Sequence, residues 1–378
     1  MIARTIAPAI RKRLSDKKAI IILGPRQTGK TTLIREVLKT EGAYLFLNGD
    51  DGLVREELEN TNTEKIRQLL GQFKIVFIDE AQRIENIGLA LKIITDQFND
   101  VRLIVSGSSA LELNQKINEP LTGRKWEYKL FPISWQEFQN HYGYLAAKQQ
   151  LELRLIYGMY PDVINAHANG EEKEVLQQLA TSYLYKDVLT IGGLRKPDII
   201  VKLLQALAYQ LGNEISYNEL ANMLQIDKNT VSHYLDILEK TFVIFRLTSF
   251  SRNPRKEIST SKKIYFYDNG IRNSLISNFS ALTFRRDKGA LWENFLISER
   301  MKLNHYYHSY ANTFFWRTKQ QQEIDYLEDS EGVLKAYEFK YSSNSKAKVP
   351  LTFTRLYPDA SFEIVNPDNF LSFIMPNS

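Results

Sequence analysis

An apolar run that opens directly into a glycine-rich loop constrains this chain more than any other feature. Ala19-Ile20-Ile21-Ile22-Leu23 is followed without a break by Gly24-Pro25-Arg26-Gln27-Thr28-Gly29-Lys30-Thr31-Thr32. The spacing is G-x-x-x-x-G-K-T, and strand, loop and helix are the context in which that pattern takes phosphate. Backbone N–H groups of the loop and the N-terminus of the next helix would cradle the anion. Lys30 would reach the β- and γ-phosphates of ATP, and the Thr31 hydroxyl would help hold Mg2+.

A second half lies downstream in Lys74-Ile75-Val76-Phe77-Ile78-Asp79-Glu80. Four consecutive apolar residues read as a fully buried strand of a parallel sheet. It ends in two carboxylates at the C-terminal edge, where open α/β sheets bind ligands. Asp79 is expected to hold Mg2+, mainly through water, and Glu80 to polarise the attacking water. The plain alternative is that both carboxylates merely end a strand. The correct order of the two halves weighs against it.

At 378 residues the chain exceeds one ordinary domain, and 43% hydrophobic content supplies real cores. No apolar run is long enough to span a bilayer. Met1 to Leu14 carries basic residues but no apolar core, so a first surface helix is expected rather than a secretory signal. The absence of cysteine excludes disulfides, thiolate metal sites and thiol catalysis. Five scattered histidines offer no imidazole cluster. The expected location is cytoplasmic. A net charge of +5 and a pI near 9.0 are mildly basic. Arg246, Arg252, Arg255, Lys256, Lys262 and Lys263 fall in one stretch opposed only by Glu257. That stretch is a candidate nucleic-acid footprint or a solvated linker face.

From Ala19 to about Phe131 the pattern alternates strand and helix. Strands are expected at Ala19–Leu23, Tyr44–Asn48, Ile75–Asp79, Leu103–Ser106 and Trp126–Leu130. Helices are expected between them, at Lys30–Leu38 and Asn86–Phe98 for example. This is a three-layer α/β arrangement with a parallel sheet. Ser106 or Ser108, at the end of the fourth strand, is placed to sit beside the γ-phosphate, or serves ordinary turn chemistry. Arg124 precedes the fifth strand. It is a candidate for stabilising transition-state charge, in cis or from a neighbouring subunit, with a sheet-edge arginine as the alternative.

The chain then turns helical, with breaks at Tyr157–Asp162 and at Gly192-Gly193. Ser216 and Glu219 suggest a capping box for a helix through Leu224. A turn follows, then a helix over Asn229–Glu239 and a strand over Phe242–Leu247. Helix, turn, helix and strand make a winged helix. Lys228, Asn229, Thr230, Ser232 and His233 would face a DNA major groove, unless the module only packs proteins together.

A second constellation lies near the C-terminus. An amphipathic helix is expected from Gly289, and strands at Phe314–Thr318, Glu323–Leu327 and Ala336–Lys340. Alternation puts Glu338 and Lys340 on one strand face. With Asp329-Ser330-Glu331-Gly332 as a four-residue loop, Glu323 lies opposite Glu338 and Asp325 is its diagonal neighbour. Glu293 could approach from the helix. Converging Glu293, Asp325 and Glu338 would bind a metal that activates water, and Lys340 would orient the nucleophile or offset charge. The spacing is that of (P)D–(D/E)xK nucleases. A half-exposed hairpin with solvated charges gives the same pattern.

These stretches together resemble a prokaryotic family of AAA+-like P-loop ATPases with a C-terminal domain of unknown function of restriction-endonuclease-like, PD-(D/E)xK, type. Further matching stretches are Ile78-Asp79-Glu80-Ala81-Gln82, Ser106-Gly107-Ser108-Ser109, Thr122-Gly123-Arg124, Phe131-Pro132-Ile133-Ser134-Trp135-Gln136-Glu137-Phe138, Lys263-Ile264-Tyr265-Phe266-Tyr267-Asp268, Trp316-Arg317-Thr318 and Glu338-Phe339-Lys340. The resemblance covers nearly the whole chain. It implies ATP binding and hydrolysis by the first domain, a winged helix in the middle and a nuclease-like fold at the end. Ile324 stands where classical members of that fold have proline. The expected organisation is an AAA+-like domain over 1–144, a helical linker or lid over 145–198, a winged helix over 199–260 and a nuclease-like domain over 261–378. The functional expectation is a Mg2+-dependent ATPase that couples nucleotide state to DNA, with metal-dependent cleavage left open and homo-oligomers allowed. The alternative is a nucleotide-gated DNA- or protein-binding regulator whose last domain does not cut.

Overall fold

The computed structural model describes residues 1–108, 113, 116–117, 119–183, 197–251, 261–343 and 348–376. Ser109, the Gly192-Gly193 break, and Arg252, Arg255, Lys256 and Glu257 lie outside the described residues. The chain divides into two compact units, the first built on Met1–Pro132 and the second beginning at Ile133.

The first unit holds a parallel sheet of β1 (Ala19–Leu23), β2 (Leu45–Asn48), β3 (Ile75–Asp79), β4 (Arg102–Gly107) and β5 (Lys125–Lys129), in the order β2-β3-β4-β1-β5. All five pair in parallel or flank a parallel neighbour, with Ile22 beside Ser106 and Asn48 beside Asp79. β1 and β3 are buried along their whole length, as their unbroken apolar runs demand. Helix Lys30–Leu38 turns Leu33, Ile34, Val37 and Leu38 inward at helical spacing. The α/β expectation for this region is met, with the strands where periodicity put them to within a residue.

The first continuous segment of the first unit ends at Pro132. Ser134 caps helix Trp135–Tyr142 through a full capping box with Glu137. Trp135 packs on Phe295 at 5.8 Å and on Phe370 at 5.5 Å, both in the second unit.

The second unit is built on a mixed sheet in the order β12-β11-β10-β9-β7-β8-β6. Its members are β6 (Glu214–Ile215), β7 (Ile244–Ser249), β8 (Lys262–Phe266), β9 (Asn312–Arg317), β10 (Glu323–Ser330), β11 (Val333–Phe339) and β12 (Ser361–Val365). Helices Tyr217–Leu224 and Lys228–Lys240 stand where expected, the first capped by Ser216 and the second by Asp227. β6, β7 and β8 form one antiparallel ladder, and β7 continues it in parallel to β9. A boundary at residue 260 would cut that ladder.

Two expectations change here. β10 and β11 join through a two-residue loop, because Ser330 pairs with Val333. Glu331 and Gly332 have φ of 54° and 86°, the two positive values a type I′ turn requires. The register therefore shifts by two residues from the four-residue-loop expectation. A shift of two preserves the face, and Asp325 rather than Glu323 comes opposite Glu338. Helix Lys288–Tyr306 is not amphipathic. It buries Leu291, Trp292, Asn294, Phe295, Ile297, Glu299 and Lys302, which point around its whole circumference.

Candidate functional site

The phosphate loop follows β1 at the C-terminal edge of the first sheet. Gly24 lies so close to the neighbouring chain that a Cβ there would stand 2.0 Å from the Leu130 carbonyl. Gln27 and Gly29 take φ of 58° and 88°, which curls the loop back onto itself. The Thr28 hydroxyl donates to the Pro25 carbonyl at 2.8 Å and closes the turn. Lys30 is buried, and its ammonium donates to the Gly24 and Pro25 carbonyls, each at 2.8 Å. Its charge is thus kept inside the loop where phosphate oxygens would replace those carbonyls. Thr32 is exposed on the following helix.

The carboxylates of β3 complete this site. The Thr31 hydroxyl donates to Asp79 Oδ2 at 2.6 Å, and Ser106 donates to Asp79 Oδ1. Register explains the second contact: β4 lies between β1 and β3, so Ser106 faces Asp79 across one strand spacing. Glu80 has left-handed backbone, φ 50°, and its side chain accepts from Gln82 Nε2 at 2.5 Å and from Ser108 Oγ at 3.3 Å. Gln82 also donates to Ser108 at 2.9 Å. Gly49 is held against this corner, its N–H on the Asp79 carbonyl at 2.8 Å, and a Cβ there would stand 2.5 Å from the Glu80 carbonyl. Thr31 and Asp79 offer adjacent hard oxygen donors of the kind Mg2+ takes. The loop N–H groups and Lys30 fit a polyphosphate. Sequence reading missed the Gln82 clamp, although Gln82 sits only two residues past Glu80.

Arg124 is not brought to this site. Its carbonyl accepts from Ala19 N at 2.9 Å, at the start of β1, whereas the phosphate loop leaves the strand's other end. A five-residue strand separates them by roughly 15 Å. Its exposed guanidinium pairs with Asp96 at 2.6 Å.

In the second unit, charged side chains from four elements meet. Asp325 from β10 accepts from Phe339 N at 2.7 Å, and Lys340 donates to Glu338 at 2.6 Å. Glu293, from helix Lys288–Tyr306, accepts from Tyr265 Oη at 2.5 Å and pairs with Lys263 Nζ at 3.3 Å. Lys263 also pairs with Glu323, which Arg317 approaches at 3.5 Å. The expected quartet of Glu293, Asp325, Glu338 and Lys340 is thus brought to one region. Two buried groups of β8, Lys263 and Tyr265, join it, and sequence reading did not foresee them. Their i, i+2 spacing on one strand face was the available signal.

Electrostatics in this cluster follow from burial among like charges. Burial, then the Glu293 charge, pushes the Asp325 carboxyl up to about 7. Burial and Asp325 raise Glu338 as well. Lys263 is raised despite burial, because Glu293 and Glu323 favour its charged form. Among the described residues, no three histidine, aspartate or glutamate side chains are arranged to hold a metal ion. Glu293 and Glu338, expected as metal ligands with Asp325, are instead turned to Lys263 and Lys340.

The basic footprint also changes. Arg246 pairs with Asp236 at 2.7 Å and with Glu239, and Lys263 is buried among carboxylates. Neither presents free charge. The opposing acids are distant in sequence from Lys263, so local counting overlooked them. Lys228, Asn229 and His233 are exposed on helix Lys228–Lys240. No helix among the described residues is long and apolar enough to cross a membrane.

Comparison with known proteins bears on the fold of these regions. Residues 16–139 match the family model of an AAA domain. Residues 148–282 and 288–371 match models described as two domains of unknown function, DUF8612 and DUF4143. An uncharacterized protein of Mycobacterium tuberculosis is 27% identical over 343 residues, 90% of this chain and 74% of its own. One of Methanocaldococcus jannaschii is 25% identical over 392 residues, covering 96% of this chain and 84% of its own. Among solved structures, the Walker-type ATPase PABY2304 of Pyrococcus abyssi aligns with a TM-score of 0.52 at 16% identity, over 73% of this chain and 96% of that one. At that identity the likeness concerns the fold. Residues 16–139 thus carry the loop, its lysine and the β3 carboxylates on a five-strand parallel sheet with the fold of a P-loop ATPase.

Proposed function

We propose that the chain is a Mg2+-dependent ATPase whose nucleotide state governs how its second unit engages DNA. The observation that carries the enzymatic part is the junction of Thr31 with Asp79 at 2.6 Å beside Glu80. It brings a phosphate loop, a metal-binding oxygen pair and a general base to one sheet edge. Lys30 and the loop N–H groups hold the phosphates. Thr31 and Asp79 hold Mg2+, which when bound offsets charge on the transferring phosphoryl group. Glu80 accepts a hydrogen bond from the attacking water and polarises it. Ser106 keeps Asp79 oriented, and Gln82 with Ser108 keeps Glu80 oriented.

The DNA part rests on the exposed Lys228, Asn229 and His233 at the start of the second helix of a winged-helix-like module, and on the basic balance of the chain. For the last domain, one observation favours binding without cutting. Lys263 and Lys340 already neutralise Glu293, Glu323 and Glu338, where a nuclease would use carboxylates for a cation. The test is to incubate the full chain with labelled single- and double-stranded DNA, Mg2+ or Mn2+, with and without ATP, beside Asp325→Asn. Salt-sensitive, nucleotide-dependent binding without cleavage is expected. Cleavage lost in Asp325→Asn would overturn the non-cutting reading. Failure to bind any DNA at low salt would remove DNA from the function.

A further inference from the structure

The phosphate loop is gripped from outside by a residue that no motif contains. Arg4 lies ahead of the matched AAA stretch, which begins at residue 16. Its Nη1 donates to the Thr28 carbonyl at 2.7 Å, and its Nη2 donates to the Phe131 carbonyl at 2.6 Å. One planar guanidinium thus bridges the loop and the chain leaving β5. Leu130, next to Phe131, is the residue whose carbonyl Gly24 touches, and its N–H donates to Leu23 O at 2.7 Å. The start of the loop therefore rests on the segment that Arg4 ties to the loop's far side.

The consequence comes from peptide geometry. The Thr28 carbonyl and the Gly29 N–H belong to one trans peptide plane, in which C=O and N–H point in opposite directions. Holding the carbonyl on the Arg4 side directs the Gly29 N–H to the other side. That N–H belongs to the G-K-T turn, the part of the loop that offers donors to phosphate. The peptide needs such a hold. Gly29 has no side chain to resist rotation and already sits at φ 88°. A flip would aim the Thr28 carbonyl, a partial negative charge, at the phosphate. Lysine cannot replace this arginine fully, because one ammonium lacks the rigid fork that spans two carbonyls.

We propose that Arg4 is a positioning residue for nucleotide binding, one that sets the Thr28–Gly29 peptide in its phosphate-receiving orientation. This rests on reading the loop as an ATP site. Arg4 acts before chemistry, on how well the loop accepts phosphate, so its loss weakens nucleotide affinity and leaves turnover of bound ATP nearly intact.

The test uses the full chain, a fluorescent ADP analogue titrated to obtain Kd, and steady-state phosphate release to separate KM from kcat. For Arg4→Ala, Kd and KM should rise about tenfold, the size of one lost charge-assisted hydrogen bond, with kcat nearly unchanged. Arg4→Lys should fall between wild type and alanine. A folded Arg4→Ala with wild-type Kd and KM would overturn the proposal, as would a loss confined to kcat. Where Arg4→Ala does not fold, Arg4→Lys decides alone: a raised Kd supports the clamp and a wild-type Kd refutes it. Wild-type protein that binds the analogue no better than Lys30→Ala would instead overturn the ATP-site reading itself.

Discussion

The phosphate loop and the C-terminal charge cluster both combine lysine with carboxylates near strand ends, and they use them in opposite ways. In the first unit Lys30 rests on two carbonyls, and Asp79 is held by two hydroxyls. Neutral carbonyls and hydroxyls are the partners that phosphate oxygens and a cation would displace there. In the second unit Lys263 lies between Glu293 and Glu323, and Lys340 holds Glu338. Opposite charges there satisfy each other inside the protein. The first is built as a receptor for a charged ligand. The second is built chiefly as a joint between β8, β10, β11 and helix Lys288–Tyr306. Proximity of the right residue types does not separate these cases. What each charge is bonded to does.

The sharpest test of that contrast exchanges the consequences of losing each lysine. Lys30→Ala should lower ATP turnover on the order of 100-fold or more while stability hardly moves, since two neutral loop carbonyls lose a partner. Phosphate release and thermal unfolding measured together would show it, and an unfolded variant would break the comparison. Lys263→Met should do the reverse. It removes the ammonium that Glu293 and Glu323 share, on a side chain only 2% exposed, and should lower unfolding free energy by about 3 kcal/mol in denaturant titration while ATP turnover persists. A variant as stable as wild type would mean that the cluster is open to solvent or to cations.

Asp325 sharpens the contrast through pH. Its native carboxyl stands at about 7, above the ordinary 3.8, because burial and Glu293 disfavour its charge. Between those values the native state binds more protons than the unfolded state. Stability from this group is therefore fully present below about pH 4 and is lost as pH rises through 7. Asp325→Asn, which has no proton to lose, should gain in thermal midpoint relative to wild type on going from about pH 5 to about pH 8. A gap that stays constant over that range would contradict the assignment. The smallest expected effect is Ser106→Ala. Asp79 keeps Thr31, so kcat should fall only about threefold, because the Ser106 hydroxyl orients Asp79 rather than touching substrate. A far larger loss would make Ser106 a participant in the chemistry.

Local legibility differs between the two sites for the same reason. The phosphate loop is one contiguous stretch, and its conformation follows from glycines, a turn hydroxyl and a buried strand. Residues 24–31 therefore declared both structure and chemistry. Asp79 and Glu80 declared themselves because a fully apolar strand can end at only one edge of a parallel sheet. The C-terminal quartet was legible as residues that one strand face and a helix could bring together. Its register was not, because the choice between a two-residue and a four-residue loop rests on whether Glu331 accepts a positive φ.

Unbroken apolar runs and the glycine-rich stretch after the first of them thus determined by themselves the parallel sheet, the loop at its edge, and the residues that stand there. Period and composition act over a few residues, and those features need nothing longer. Tertiary structure decided everything that depends on meetings between remote segments. Arg4 reaches Thr28 and Phe131 across the fold. Arg124 falls at the wrong end of β1 for catalysis in cis. Glu299 and Lys302, three residues apart on one helix, are buried together, with Trp135 N–H donating to the carboxylate at 2.6 Å. A charge costs little in water and much in a core, so its meaning waits on what surrounds it, and that is settled only when distant parts of the chain pack.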